Sequence, residues 1–112
     1  MAPRWTIPSI DARAHLASLA GRTIVSVLEG VPYRILGVTR DYVYVAAAVA
    51  PLGKPIPIAE VQATFDRLAS GEVIELSHPS LGDSGAFLSA AMVSLPGSEL
   101  LHGPARVRLH RR

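Results

Sequence analysis

The chain has 112 residues, 49% of them hydrophobic and 18% charged, with a formal net charge of +2. That length suits one hydrophobic core, that composition excludes a disordered chain, and the absence of cysteine excludes disulfides, thiolate catalysis and cysteine-ligated zinc. No apolar run is long enough to cross a bilayer as a helix, and MAPRWTIPSI lacks the basic-then-apolar pattern of a signal peptide, so the expectation is a cytoplasmic protein with no membrane partner.

Met1–Pro8 carries two prolines and no period, and reads as an arm preceding one globular domain over residues 9–112. Trp5 and Ile7 are the groups able to pin that arm to the body. Ser9 is placed to cap a short alanine-rich helix over Ile10–Ala20, with Ile10, Leu16 and Leu19 inward and Gly21 at its end. Thr23–Leu28 is β-branched and predicts a strand. Tyr33–Val38 and Tyr42–Ala48 predict two more, joined by short turns at Glu29–Pro32 and Thr39–Asp41. Loops this short allow only antiparallel neighbours, so the three strands form a meander.

Val49–Pro57 has three prolines and reads as a rigid connector. Ile58, Val61, Phe65 and Leu68 then fall on one face of a helix ending near Gly71, with Glu60, Asp66 and Arg67 off that face. Glu72–Leu76 predicts a strand with Val73 opposite Ile74. A second apolar helix starts at Gly82 or Asp83, buries Phe87, Leu88, Ala91, Met92 and Leu95, and stops at Pro96-Gly97. Ala105–Leu109 predicts the last strand. The fold class is α+β: an antiparallel meander, then helix–strand–helix and a C-terminal strand.

Three segments invite a chemical reading. Gly82-Asp83-Ser84-Gly85 matches the string around the nucleophile of chymotrypsin-like proteases, which makes Ser84 the residue a serine hydrolase would use. The match covers four residues, and Ala86 stands where a second glycine would follow. The plainer reading is that Asp83 or Ser84 caps the helix. The same turn offers an anion-binding loop of Ser80, Gly82 and Ser84, opposed by the charge of Asp83. The histidines, His15, His78, His102 and His110, are scattered without ligand spacing; only His78 with Asp83, or His102 with Glu99, would begin a metal site. Neither a metal nor a cofactor is expected, and no catalytic set is assigned.

The third segment is the tail. Arg106, Arg108, Arg111 and Arg112 supply four of the eleven basic residues, so the rest of the chain is slightly acidic. As a strand, this tail puts Arg106, Arg108 and His110 on one face and Val107 and Leu109 on the other. That makes either a cationic edge able to follow phosphates or a solvated edge strand kept soluble by charge. Arg22 and Arg34 are secondary phosphate candidates. Tyr42 and Tyr44 share a strand face, as in single-strand-binding platforms and equally in ordinary half-buried sheets.

From Gly21 to Gly97 the chain resembles a small actinobacterial domain found beside HNH-type and restriction-like nuclease modules. The resemblance rests on Gly21-Arg22-Thr23-Ile24, Gly30, Pro32, Pro51, Gly53, Pro55-Ile56-Pro57-Ile58, Val61-Gln62, Asp66, Leu68, Gly71-Glu72-Val73, Ser80-Leu81-Gly82, Ala86-Phe87 and Leu95-Pro96-Gly97. It implies a bacterial accessory module in the neighbourhood of nucleases. Two departures stand out: Glu60 replaces an aromatic, and Asp83-Ser84-Gly85 replaces a Tyr-Arg-Ser run, removing an arginine suited to phosphate. The expected function is a non-enzymatic module that binds nucleic acid or a nuclease-type protein partner. The alternatives are a protein-interaction or homodimerisation module without nucleic-acid binding and, behind it, a small serine hydrolase.

Overall fold

The structure is a computed structural model that describes residues 10–48, 50–76 and 84–109. The order is α1 (Ala12–Ser18), β1 (Thr23–Val25), β2 (Pro32–Val38), β3 (Tyr42–Ala47), β4 (Ala50–Pro57), α2 (Ile58–Ala69), β5 (Ile74–Glu75), α3 (Gly85–Val93), β6 (Ser98–Leu101) and β7 (Arg106–Leu109). It is an α+β fold. One antiparallel sheet runs β1-β2-β3-β4 and a second runs β5-β7-β6. The expected arm, Met1–Pro8, lies outside the described residues.

The predicted connector is a strand, which corrects the proline argument. β4 is an edge strand, paired only with β3. Tyr42 pairs with Pro57 and Tyr44 with Pro55. The Ile58 N–H donates to the Asp41 carbonyl at 2.8 Å. Since ladder positions alternate, Ile56 and Lys54 also face β3, while Pro55 and Pro57 stand where an N–H would point outward. A proline there gives up no ladder bond, so the edge accommodates what a central strand would not.

Other boundaries move by a few residues. Helix α1 begins later than expected because Asp11 caps it, its carboxylate accepting from the Ala14 N–H at 3.1 Å. The expected cap, Ser9, lies outside the described residues. Leu16 is fully buried, and Ile10 and Leu19 pack at the core margin. Gln62 ties α1 to α2: its side-chain oxygen accepts from the Ala12 N–H at 2.9 Å, and its amide donates to the Ile10 carbonyl at 2.6 Å. β1 stops at Val25, where Ser26 turns inward and its hydroxyl oxygen accepts from the Val31 N–H at 2.9 Å.

Helix α2 presents the expected stripe: Val61, Phe65 and Leu68 are buried. Gly71, at φ 95°, turns the chain out of it, and a two-pronged Arg67–Glu72 pair closes the exit at 2.6 and 3.0 Å. The Arg67 guanidinium holds the Glu72 carboxyl below the usual carboxylate range. Both groups are well exposed, so the pair adds little stability.

Helix α3 is buried on every side from Phe87 to Met92. It packs against β1, α2 and β6 and so joins the two sheets. Phe87 meets the Tyr33 ring of β2 edge-on, with centroids 5.6 Å apart. The buried Ser89 hydroxyl donates to the Ala86 carbonyl at 2.8 Å and accepts from the Val27 N–H at 3.2 Å, so it is satisfied on both counts. Around α3 one core gathers Ile35, Val43, Val45 and Ile56 from the first sheet, Ile74, Val107 and Leu109 from the second, and the apolar faces of α1 and α2.

The C-terminal strand is not an edge. β6, absent from the sequence reading, pairs with β7 on one side and β5 flanks it on the other, so β7 is the centre of its sheet. Its alternation is as expected: Val107 and Leu109 are buried, and Arg108 is exposed.

Two expectations follow. Phe87→Ala should cost about 3–5 kcal/mol in chemical denaturation, whereas Leu52→Ala, at a side chain 98% exposed, should stay within about 0.5 kcal/mol of the parent. His15 carries the second: its ring packs edge-on against Phe65 at 5.8 Å and its Nε2 lies 2.9 Å from Ser94 Oγ. Burial pushes the imidazole below its ordinary 6.5. Its favourable contribution is therefore complete above pH 6.5 and falls as pH drops through that value, because the unfolded chain takes the proton first. Denaturation from about pH 7 to about pH 5 should show a shallower loss in His15→Gln than in the parent; equal slopes would contradict the assignment.

Candidate functional site

The meander has two unlike faces. Ile24, Tyr33, Ile35, Val43, Val45 and Ile56 point toward the helices. The other face carries Thr23 and Val25 of β1, Pro32, Arg34 and Leu36 of β2, Tyr42, Tyr44 and Ala46 of β3, and Pro55 and Pro57 of β4. Among the described residues nothing packs over it. Val25 is 49% exposed, Leu36 46%, Tyr42 42% and Tyr44 37%. Apolar groups gathered on one exposed sheet face are a feature that docking surfaces share.

Two irregularities shape this face. β2 bulges between Ile35 and Gly37, and β3–β4 pairing shifts beyond Val45. Leu36, on the first bulge, reaches toward β4: its Cδ1 lies 3.0 Å from where a Cβ on Gly53 would sit. Gly53 has φ 106°, a backbone region that side chains disfavour, so the backbone calls for glycine there, and the Leu36 tip would have to give slightly to admit a methyl. Beside the bulge, Thr23, Arg34 and Ala46 align across three strands. With Pro32 and Pro51 they line a shallow cleft of about 350 Å³. The Tyr42 and Tyr44 rings lie further along, centroids 6.4 Å apart and tilted by 48°.

The predicted phosphate residues do not converge. Arg22 lies exposed at the entry to β1, where its carbonyl accepts from the Ile35 N–H at 2.9 Å and its own N–H donates to the Leu19 carbonyl at 2.8 Å, while Arg34 projects from the open face. Arg106 and Arg108 belong to the other sheet. Arg108 is ion-paired with Glu99 across the β6–β7 ladder. Arg106 sits opposite Glu75 and donates from Nε to the Pro104 carbonyl at 3.2 Å. Each described tail arginine is therefore set against a carboxylate, Arg106 against Glu75 of β5 and Arg108 against Glu99 of β6, the second pair being legible only once β6 is known to be a strand. Arg111 and Arg112 lie outside the described residues.

Of the loop, Ser80 and Gly82 also lie outside them, as do His78 and Asp83. Ser84 occupies the cap position of α3 but makes no side-chain capping bond. Its hydroxyl donates to the Glu60 carboxylate at a long 3.4 Å. No histidine is among its described partners. The one described contact between a serine hydroxyl and a histidine ring, Ser94 with His15, is structural: Ser94 donates its proton to the Ala91 carbonyl at 2.6 Å. Glu99 is committed to Arg108 and His102 is exposed in the following turn, and no three metal-ligating side chains cluster among the described residues. No helix among the described residues is long and apolar enough to cross a membrane.

No protein-family model matches the chain, and neither does any curated protein or solved structure.

Gly53→Ala should destabilise by about 1–3 kcal/mol, because the new methyl meets both an unfavourable φ and the Leu36 side chain. Denaturation reads the loss, and a shift of the Leu36 methyl resonances reads the displaced neighbour.

Proposed function

We propose that this domain is a non-enzymatic accessory module that docks a protein partner on the open face of the meander. The observation that carries the reading is the composition of that face: two tyrosines, exposed Leu36 and Val25, flanking prolines and one arginine, with no acidic residue at any of its strand positions. Docking surfaces are enriched in tyrosine and arginine and depleted of other charges at their centre. The resemblance to nuclease-associated domains implies a nuclease-type protein as the partner. A nucleic-acid ligand has weaker support. Tyr42 and Tyr44 offer stacking surfaces, but Arg34 at the cleft and Arg40 in the turn beside Tyr42 give little of the multiple phosphate contact on which such binding rests.

Peptides selected on the domain from a random display library test the reading. Selected peptides should perturb the amide resonances of β2, β3 and β4, and Leu36→Ser with Tyr44→Ser should weaken them about tenfold or more while leaving the fold intact by circular dichroism. Peptides that map elsewhere, or that ignore the double variant, would refute it. Tight, salt-sensitive binding of single-stranded DNA in their place would favour the nucleic-acid alternative.

A further inference from the structure

Resting on that reading, we infer that the partner is a different protein that brings a carboxylate to Arg34, set within an apolar surface. Arg34 is exposed beside the cleft that Thr23, Pro32, Ala46 and Pro51 line, and its guanidinium has no hydrogen bond or ion pair among the described residues. A protein surface that covers this face takes the guanidinium out of water. Burying that charge unpaired is costly, and a carboxylate meeting it with two parallel N–H bonds removes the cost.

The strands of this face cannot supply that carboxylate. Their outward positions hold no Asp or Glu, and Asp41 borders the face only in the turn beside Tyr42 and Pro57. In a two-fold dimer centred on the Arg34 cleft, each guanidinium would meet its own like-charged copy and strand positions without a carboxylate. Charge complementarity therefore selects a different partner over a second copy. The β4 edge narrows the geometry further: Pro55 and Pro57 present carbonyls but no N–H outward, so a partner strand extending the sheet there finds acceptors without the matching donors. That favours a partner lying across the strands over one added to this edge.

The probe is the same kind of display library, screened in parallel on the parent domain and on Arg34→Glu. Parent-selected peptides should carry Asp or Glu among apolar residues, and changing that acid to Gln or Asn should weaken binding about tenfold. The Arg34→Glu domain should lose those peptides and select ones carrying Lys or Arg. Acid-free peptides that bind the parent equally well, yet are lost in the Leu36→Ser, Tyr44→Ser variant, would overturn this inference and leave the docking face standing. Peptides that do not map to the face would remove both. Concentration-dependent dimerisation in sedimentation, abolished by Arg34→Glu, would overturn the choice of a different partner, and so would competition of the peptides by single-stranded oligonucleotide.

Discussion

Everything in this domain is organised by a helix that has no exposed side. From Phe87 to Met92 every residue of α3 is buried, so the helix cannot rest on one sheet and face water with the other flank. It has to be enclosed, and the two sheets with α2 enclose it. Each large apolar side chain fully buried in this way contributes about 1.5–3 kcal/mol. The few polar groups drawn in with it are all satisfied: Ser89 bonds to Ala86 and Val27, and Ser26 to Val31. The enclosure also sets the orientation of the meander, since Tyr33 must face Phe87 and the alternating positions then face away.

That orientation leaves one sheet face without a structural task. The helices all lie on the Ile35–Val45 side, and an antiparallel sheet tolerates a second face open to solvent. An ordinary solvated face would be polar. This one carries tyrosine, leucine, valine and proline, and its sole strand charge is Arg34. Its outer edge is blunted by prolines on the side that faces away from β3. A face that stays apolar while its edge is protected against pairing is suited to a partner lying flat on it.

The sequence made the helices and the meander legible because both have strong periods. Phe65 and Leu68 on one stripe, and Val43 and Val45 alternating with Tyr42 and Tyr44, follow directly from helix and strand geometry. β4 was hidden because proline argues against a strand unless the strand is known to be an edge, which depends on the finished sheet. β6 was hidden because Ser98–Leu101 does not alternate and is half-buried throughout. Missing β6 also hid the fate of the basic tail, since Glu99 neutralises Arg108 only across that ladder. The tyrosine pair was visible in the sequence, but its neighbours Arg34, Leu36 and Pro55 come from other strands, so the surface they form was not.

The molecule therefore divides between an enclosed helix that holds the fold and an open sheet face proposed to bind a partner. Native-state amide hydrogen exchange, with and without a saturating selected peptide, tests that division directly. The amides of Ala90, Ala91 and Met92 should exchange only through global unfolding, while the peptide newly protects amides of β2 and β3 by more than its general stabilising effect. Exchange of the α3 amides through a smaller local opening, or peptide protection confined to α3 with β2 and β3 unchanged, would contradict it.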